Sequence, residues 1–177
     1  TVAGGPYAIN QNTLAANANY TLTSYTGANL SIDPRAITVT AGAQTKTYGN
    51  NDPTLTFTVG GSGLANNAGI GVVDTVGTAF TGALSRVAGE TVAGGPYAIN
   101  QNTLAANANY TLTSYTGANL TINPRAITLA ADAASKTYGN ADPALSVSIT
   151  GGSLASVAVT DTLAEGSVYG GDPGYYK

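Results

Sequence analysis

Residues 1–30 (TVAGGPYAINQNTLAANANYTLTSYTGANL) recur without a single change as residues 91–120, an offset of 90. The likeness continues through SIDPRAITVTAGAQTKTYGNNDPTL from Ser31 and TINPRAITLAADAASKTYGNADPAL from Thr121, then fades after Leu64 and Leu154. Solenoids repeat every ~20 to 50 residues, because each repeat is a single supersecondary unit. A spacing of 90 reads instead as whole domains in series. Asp33-Pro34 and Asn123-Pro124 each interrupt two strand-like runs, and proline has no N–H to give to a sheet ladder. Boundaries placed there give one complete module, 35–124. It is preceded by the C-terminal part of a module, 1–34, and followed by the N-terminal part of another, 125–177. The two partial pieces hold 34 and 53 residues, which together approach one module. Two arrangements fit. The chain is one super-repeat of a longer polypeptide, or its halves complement each other between separate chains, as in strand-swapped polymers.

Within a module the apolar pattern has period two. Leu55, Phe57 and Val59 alternate with Thr54, Thr56 and Thr58, so one face packs inward and a threonine row meets water. Leu145, Val147 and Ile149 repeat the pattern in the last piece. Further strands are expected at 36–40 (Ile37 and Val39 inward), 79–84, 96–100 (Tyr97 and Ile99), 110–115 (Tyr110 and Leu112) and 119–122. Residues 104–109 (LAANAN) could form one helical turn, far below the length at which a helix is stable alone. Leu, Ile, Val and Phe number only 35, but a net charge of −3 argues against disorder, and eleven Tyr supply buried area. The fold class is all-β. Tandem Ig-like β-sandwich modules stacked end to end fit six or seven short strands in 90 residues, with a β-grasp-like arrangement as the alternative. The Pro junctions leave almost no linker, so the modules should stack stiffly.

The side chains that carry chemistry are scarce. Acid–base catalysis needs a positioned His or a pair of tuned carboxylates, and the chain has no His, with only Glu90 and Glu165 beside seven Asp. Asp52 and Glu90 could approach one another, although an Asp before Pro more often forms a turn. No catalytic, cofactor-binding or metal residue is assigned, and no enzyme activity or cofactor is expected. The absence of Cys removes disulfides and thiolate metal sites. Without a basic patch the footprint of a nucleic-acid binder is missing. No apolar run approaches the ~20 residues that cross a bilayer and no signal peptide is visible, though either can lie elsewhere in a longer chain.

Four weaker patterns have plainer readings. Residues 60–74 (GGSGLANNAGIGVVD) miss the GGxGxD spacing of calcium-binding repeats and read as a Gly/Asn surface loop, while Asn50, Asn51 and Asp52 offer oxygen ligands of the type calcium takes. Lys46, Glu90 and Asn107 or Asn109 supply the residue types of an intramolecular isopeptide crosslink, but nothing in their spacing shows that they meet, and an exposed Lys beside a turn is the plainer reading. Asn19, Asn29, Asn109 and Asn119 lie in N-x-[ST] triplets, which Asn- and Thr-rich sequence produces by chance. Tyr25, Tyr115, Tyr175 and Tyr176, with the threonine rows, could contact polysaccharide, although Thr is simply a good solvent-facing strand residue.

The ordered set KTYGNNDPTL (46–55), FTGALSRVAGE (80–90), GPYAI (95–99), NYTLTSYTGANLTI (109–122) and PRAITL (124–129) resembles the MBG domains, mostly-beta, glycine-rich modules of two-partner-secreted adhesins similar to filamentous haemagglutinin. Any single piece is weak; the set at module spacing is specific, and it covers nearly the whole chain. After Leu163, EGSVYGGDPGYYK departs from the pattern. The resemblance implies secretion, a cell-surface or extracellular location, and a part in adhesion or biofilm matrix. Its implied partners are neighbouring modules of the same array, with polysaccharide or a surface receptor as further candidates, and it brings no catalytic residues.

Overall fold

The structure, a computed structural model, describes residues 1–155. In chain order its strands are β1 (Tyr7–Ile9), β2 (Ala28–Leu30), β3 (Arg35–Ala41), β4 (Gln44–Thr47), β5 (Phe57–Gly61), β6 (Asn66–Asn67), β7 (Val72–Val73), β8 (Phe80–Thr81), β9 (Ser85–Arg86), β10 (Tyr97–Asn100), β11 (Ala105–Ala106), β12 (Tyr110–Thr116), β13 (Ala118–Asn123), β14 (Thr128–Ala131) and β15 (Val147–Gly151). A 3-10 turn covers Ala68–Ile70 and one α-helical turn, α1, covers Val76–Ala79. The described chain is therefore mostly β, in several small sheets, with a single short helix. It divides into two compact units. The first comprises Thr1–Gln44, Thr54–Val87 and Tyr97–Leu120; the second comprises Thr45–Pro53, Ala88–Pro96 and the described residues from Thr121 onward.

In the first unit β3 lies between β12 and β5, parallel to the former and antiparallel to the latter. Its alternation is as the sequence implies: Ile37 and Val39 are fully buried while Thr40 is exposed. Around them pack Ala79, Phe80, Leu104 and Tyr110, with Phe57 edge-on to Phe80 at 5.2 Å between centroids. Full burial of each such aliphatic side chain contributes about 1.5–3 kcal/mol, which makes this cluster the stabilising centre of the unit. The threonine row behaves as expected too, since Thr54, Thr56 and Thr58 are exposed and Leu55, Phe57 and Val59 half-buried. β10 runs antiparallel to β13 on one side and β9 on the other. Only Gly117 separates β12 from β13, and the chain changes sheet there.

Three local expectations are corrected. Residues 79–84 do not form one strand. Thr75 caps α1 through a capping box with Thr78, and β8 then ends at Gly82, whose φ of +75° turns the chain. Residues 104–109 make no helical turn: β11 pairs with β8, and the Asn107 Oδ1 accepts the Asn109 N–H, a side-chain bond that competes with helix. Residues 60–74 are not simply a loop. They hold the β6–β7 hairpin around the 3-10 turn, where the Asn67 Oδ1 accepts the Gly69 N–H and Gly71 ends the turn at φ +71°.

The two identical segments fold alike locally. β1 and β2 pair Tyr7 with Leu30 and Ile9 with Ala28, as β10 and β13 pair Tyr97 with Leu120 and Ile99 with Ala118. The Tyr25 hydroxyl donates to the Ile9 carbonyl and the Tyr115 hydroxyl to that of Ile99. In the second unit β14 and β15 repeat the pairing of β3 and β5, with Leu129 opposite Ile149 as Val39 is opposite Val59.

Candidate functional site

The KTYGN stretch makes a tight turn after β4. The Asn50 N–H donates to the Thr47 carbonyl at 3.0 Å, and Gly49 sits at φ +82°, a conformation that favours glycine. A Cβ there would also lie 2.3 Å from that of Ala155. The Tyr48 N–H donates to the Asn123 carbonyl at 2.9 Å. Arg125 closes the turn from outside, giving one hydrogen bond to the Tyr48 carbonyl and another to the Asn50 Oδ1, each at 2.9 Å.

Beside the turn stands the chain's densest charge cluster among the described residues. The Lys46 side chain is only 4 % exposed, and its ammonium donates to the Asp52 Oδ1 at 2.6 Å and the Glu90 Oε2 at 2.5 Å. Burial alone would pull the lysine's pKa down. Hydrogen bonds and charge from Asp52 and Glu90 outweigh it, so the net effect raises the pKa above the ordinary value. Through these two ion pairs the arrangement fastens the segment at Glu90 to the KTYGN turn. The sequence supplied Lys46 with Glu90 and Asp52 with Glu90 as separate pairs; the structure joins all three. Asn107 and Asn109, the other isopeptide candidates, have different partners: Asn107 donates to the Thr78 carbonyl and Asn109 accepts the Val2 N–H. Lys136 pairs with Asp142 at the same offset of 90, in a more exposed setting.

The proposed calcium ligands are differently engaged, since Asn50 accepts from a guanidinium and Asp52 from an ammonium. Among the described residues no group of three or more His, Cys, Asp or Glu is placed to hold a metal ion. A cleft of about 630 Å³ in the first unit is lined by Arg35, Asp74, Asn109 and Tyr110, among others. Sequence reasoning gave these residues no joint role. The Tyr110 hydroxyl donates to the Asp74 Oδ2 at 2.5 Å and accepts the Ala65 N–H at 2.9 Å, so it pins the β6–β7 hairpin to β12. Burial and the Asp74 carboxylate both raise its pKa. Arg35 donates to the Ser62 and Gly63 carbonyls. These bonds hold loops. Tyr25 and Tyr115 spend their hydroxyls on internal carbonyls, and Tyr175 and Tyr176 lie outside the described residues. No described helix is long and apolar enough to cross a membrane.

The turn, the buried lysine and the paired strands on either side all fall within one stretch that a family model recognises. Residues 37–121 match the MBG domain (YGX type). Within that MBG domain the sole Tyr-Gly pair is Tyr48-Gly49, so the signature dipeptide is the turn just described. The positive φ at Gly49 gives a physical reason for its glycine, and the Tyr48 N–H ties the turn to the Asn123 carbonyl at the end of β13. No curated protein and no solved structure matches the chain at a significant level.

Proposed function

We propose that this chain is a structural repeat segment of a secreted bacterial surface adhesin or filament, giving stiff reach and supporting adhesion or biofilm matrix. In this reading it is built of tandem Ig-like β-sandwich modules, one complete at 35–124 and two partial at 1–34 and 125–177, and it does no enzymatic work. MBG domains are typical of surface proteins, and the single observation that carries the reading is structural recurrence. The β1–β2 register reappears at an offset of 90 in β10–β13, and that of β3–β5 reappears in β14–β15 from Leu129 to Ala131, with a shift at Thr128. Its polar side chains support the same reading: Lys46, Tyr110, Arg35 and Arg125 all fasten turns and hairpins. Neighbouring modules of the same array are its partners.

Immunogold labelling of intact producing cells tests the location, with label expected on the outer surface or on filaments leaving it. Label that appears only after lysis would refute it. A glycan array probed with the chain tests the role. No binding at micromolar concentration agrees with a spacer, whereas a specific hit makes the repeat a carbohydrate-binding module displayed in several copies.

A further inference from the structure

The second compact unit crosses the end of the MBG domain. Thr45–Pro53 and Ala88–Pro96 lie inside the matched stretch 37–121, and the described residues from Thr121 onward run past it. What meets there is the signature turn and the start of the segment that follows. Tyr48 bonds on both sides of Pro124: its N–H donates to the Asn123 carbonyl and its carbonyl accepts from the Arg125 Nε, each at 2.9 Å. The Arg125 Nη2 reaches the Asn50 Oδ1 at 2.9 Å as well. One half-buried guanidinium thus spans two acceptors of a single turn, a match for its rigid planar fork that a lysine ammonium does not offer.

Gly49 completes the contact. Its φ of +82° favours glycine, but the space beside it is a second constraint: a Cβ would collide with that of Ala155 and lie 3.2 Å from the Arg125 Nη2. Ala155 is only 7 % exposed, so its methyl group packs close over the glycine rather than in water. A turn that needs glycine for its backbone alone has no such neighbours, as at Gly63, where φ is +67° and nothing lies within 4 Å. From the other side Lys46 ties Asp52 to Glu90, and all three belong to the MBG domain, so the turn is braced by groups of the domain itself.

We propose that the turn at 48–50 is a socket through which an MBG domain holds the start of the next module, with Arg125 as the plug and Ala155 seated on Gly49. Both parts recur in the sequence: KTYGN stands at 46–50 and 136–140, and PRAIT at 34–38 and 124–128. A module therefore carries one plug at its start and one socket within it. A heterologous contact of that kind repeats along an array instead of closing on itself. Adjoining domains move relative to one another unless an interface restrains them, so this fastening is the means of stiff reach. The socket rests on the tandem-module reading, in which residues 125 onward begin the next module.

Thiol labelling of Ala155→Cys in the native 177-residue chain reads the seat directly, since the sequence has no cysteine of its own. Val39→Cys, at a fully buried position in the core of the MBG domain, reports in a separate chain whether that domain stays folded. Adding Arg125→Ala should raise the labelling rate at 155 about ten-fold or more, and Gly49→Ala likewise, while the rate at 39 stays within about two-fold. Labelling of Ala155→Cys at the rate of a free thiol in the chain that keeps Arg125 and Gly49 would overturn the socket, as would a rate that Arg125→Ala leaves unchanged. Exposure of Val39→Cys on adding Arg125→Ala would overturn it too, because Arg125 would then be a residue the domain needs in order to fold. A failed socket leaves the surface role standing, and a chain absent from the cell surface leaves the socket intact.

Discussion

Single side chains decide how the loops are fastened, and the repeat supplies its own controls. Tyr110→Phe removes a hydroxyl that bonds Asp74 and Ala65 and leaves both without that partner, so it should destabilise the MBG domain by about 1–3 kcal/mol in denaturant unfolding. Tyr20→Phe, at a 74 % exposed copy of the same residue, should change stability by less than about 0.5 kcal/mol. The pH dependence follows from the same groups. Lys46 and Tyr110 both have folded pKa values raised above their ordinary 10.5 and 10.0. Their stabilisation is therefore complete below those values and is lost as pH rises through the folded ones. The melting temperature should fall above about pH 10.5, less steeply in Lys46→Met and Tyr110→Phe than in the parent chain. These two roles were only half legible in sequence. Period-two alternation places Tyr110 inward on its strand, where it is, but its bond to Asp74 spans 36 residues and no local pattern encodes it. Lys46 and Glu90 are 44 residues apart and meet only because strands between them pair.

Elements with strict alternation were readable, and those shaped by one glycine or one cap were not. The strand around Ile37 and Val39 forms where period two places it, because a half-buried strand has no other way to satisfy its apolar face. At 79–84 the apolar run AFTGAL mimics a strand, yet Thr75 and Thr78 cap a helical turn and Gly82 bends the chain. A threonine at the third helical position is a weak form of a signal usually given by Glu or Gln, so the sequence marks this cap only faintly. Gly82 also touches backbone: a Cβ there would lie 2.0 Å from the Thr103 carbonyl oxygen. Gly82→Ala should therefore cost clearly more than Gly63→Ala, which shares a positive φ of 67° but meets nothing within 4 Å. The latter should cost about 1–2 kcal/mol from backbone strain alone, and the difference is read from the two unfolding midpoints.

At the scale of the molecule, the repeat shows how far identical sequence determines structure. It fixes local pairing in both copies, down to the Tyr25 and Tyr115 hydroxyl bonds, but burial requires strands from outside the segment. That requirement is why the period of 90 could be read from the sequence and the parallel seating of β12 on β3 could not. The Lys46 cluster bears on the molecule as a whole too, because a covalent bond to Asp52 would lock the module permanently. With the amine held in ion pairs to Asp52 and Glu90, the intact mass should equal that of the unmodified linear chain, the residue masses plus one water, and a deficit of one water from that value would show that the bond forms. Native-state thiol labelling of Leu30→Cys and Leu120→Cys in the dilute full chain tests most directly whether context buries the repeat. The positions are 55 % and 0 % exposed in otherwise identical segments. Leu30→Cys should react at nearly the rate of a free thiol, and Leu120→Cys about 100-fold or more slowly, limited by opening of the domain. Equal rates at the two positions would contradict this picture.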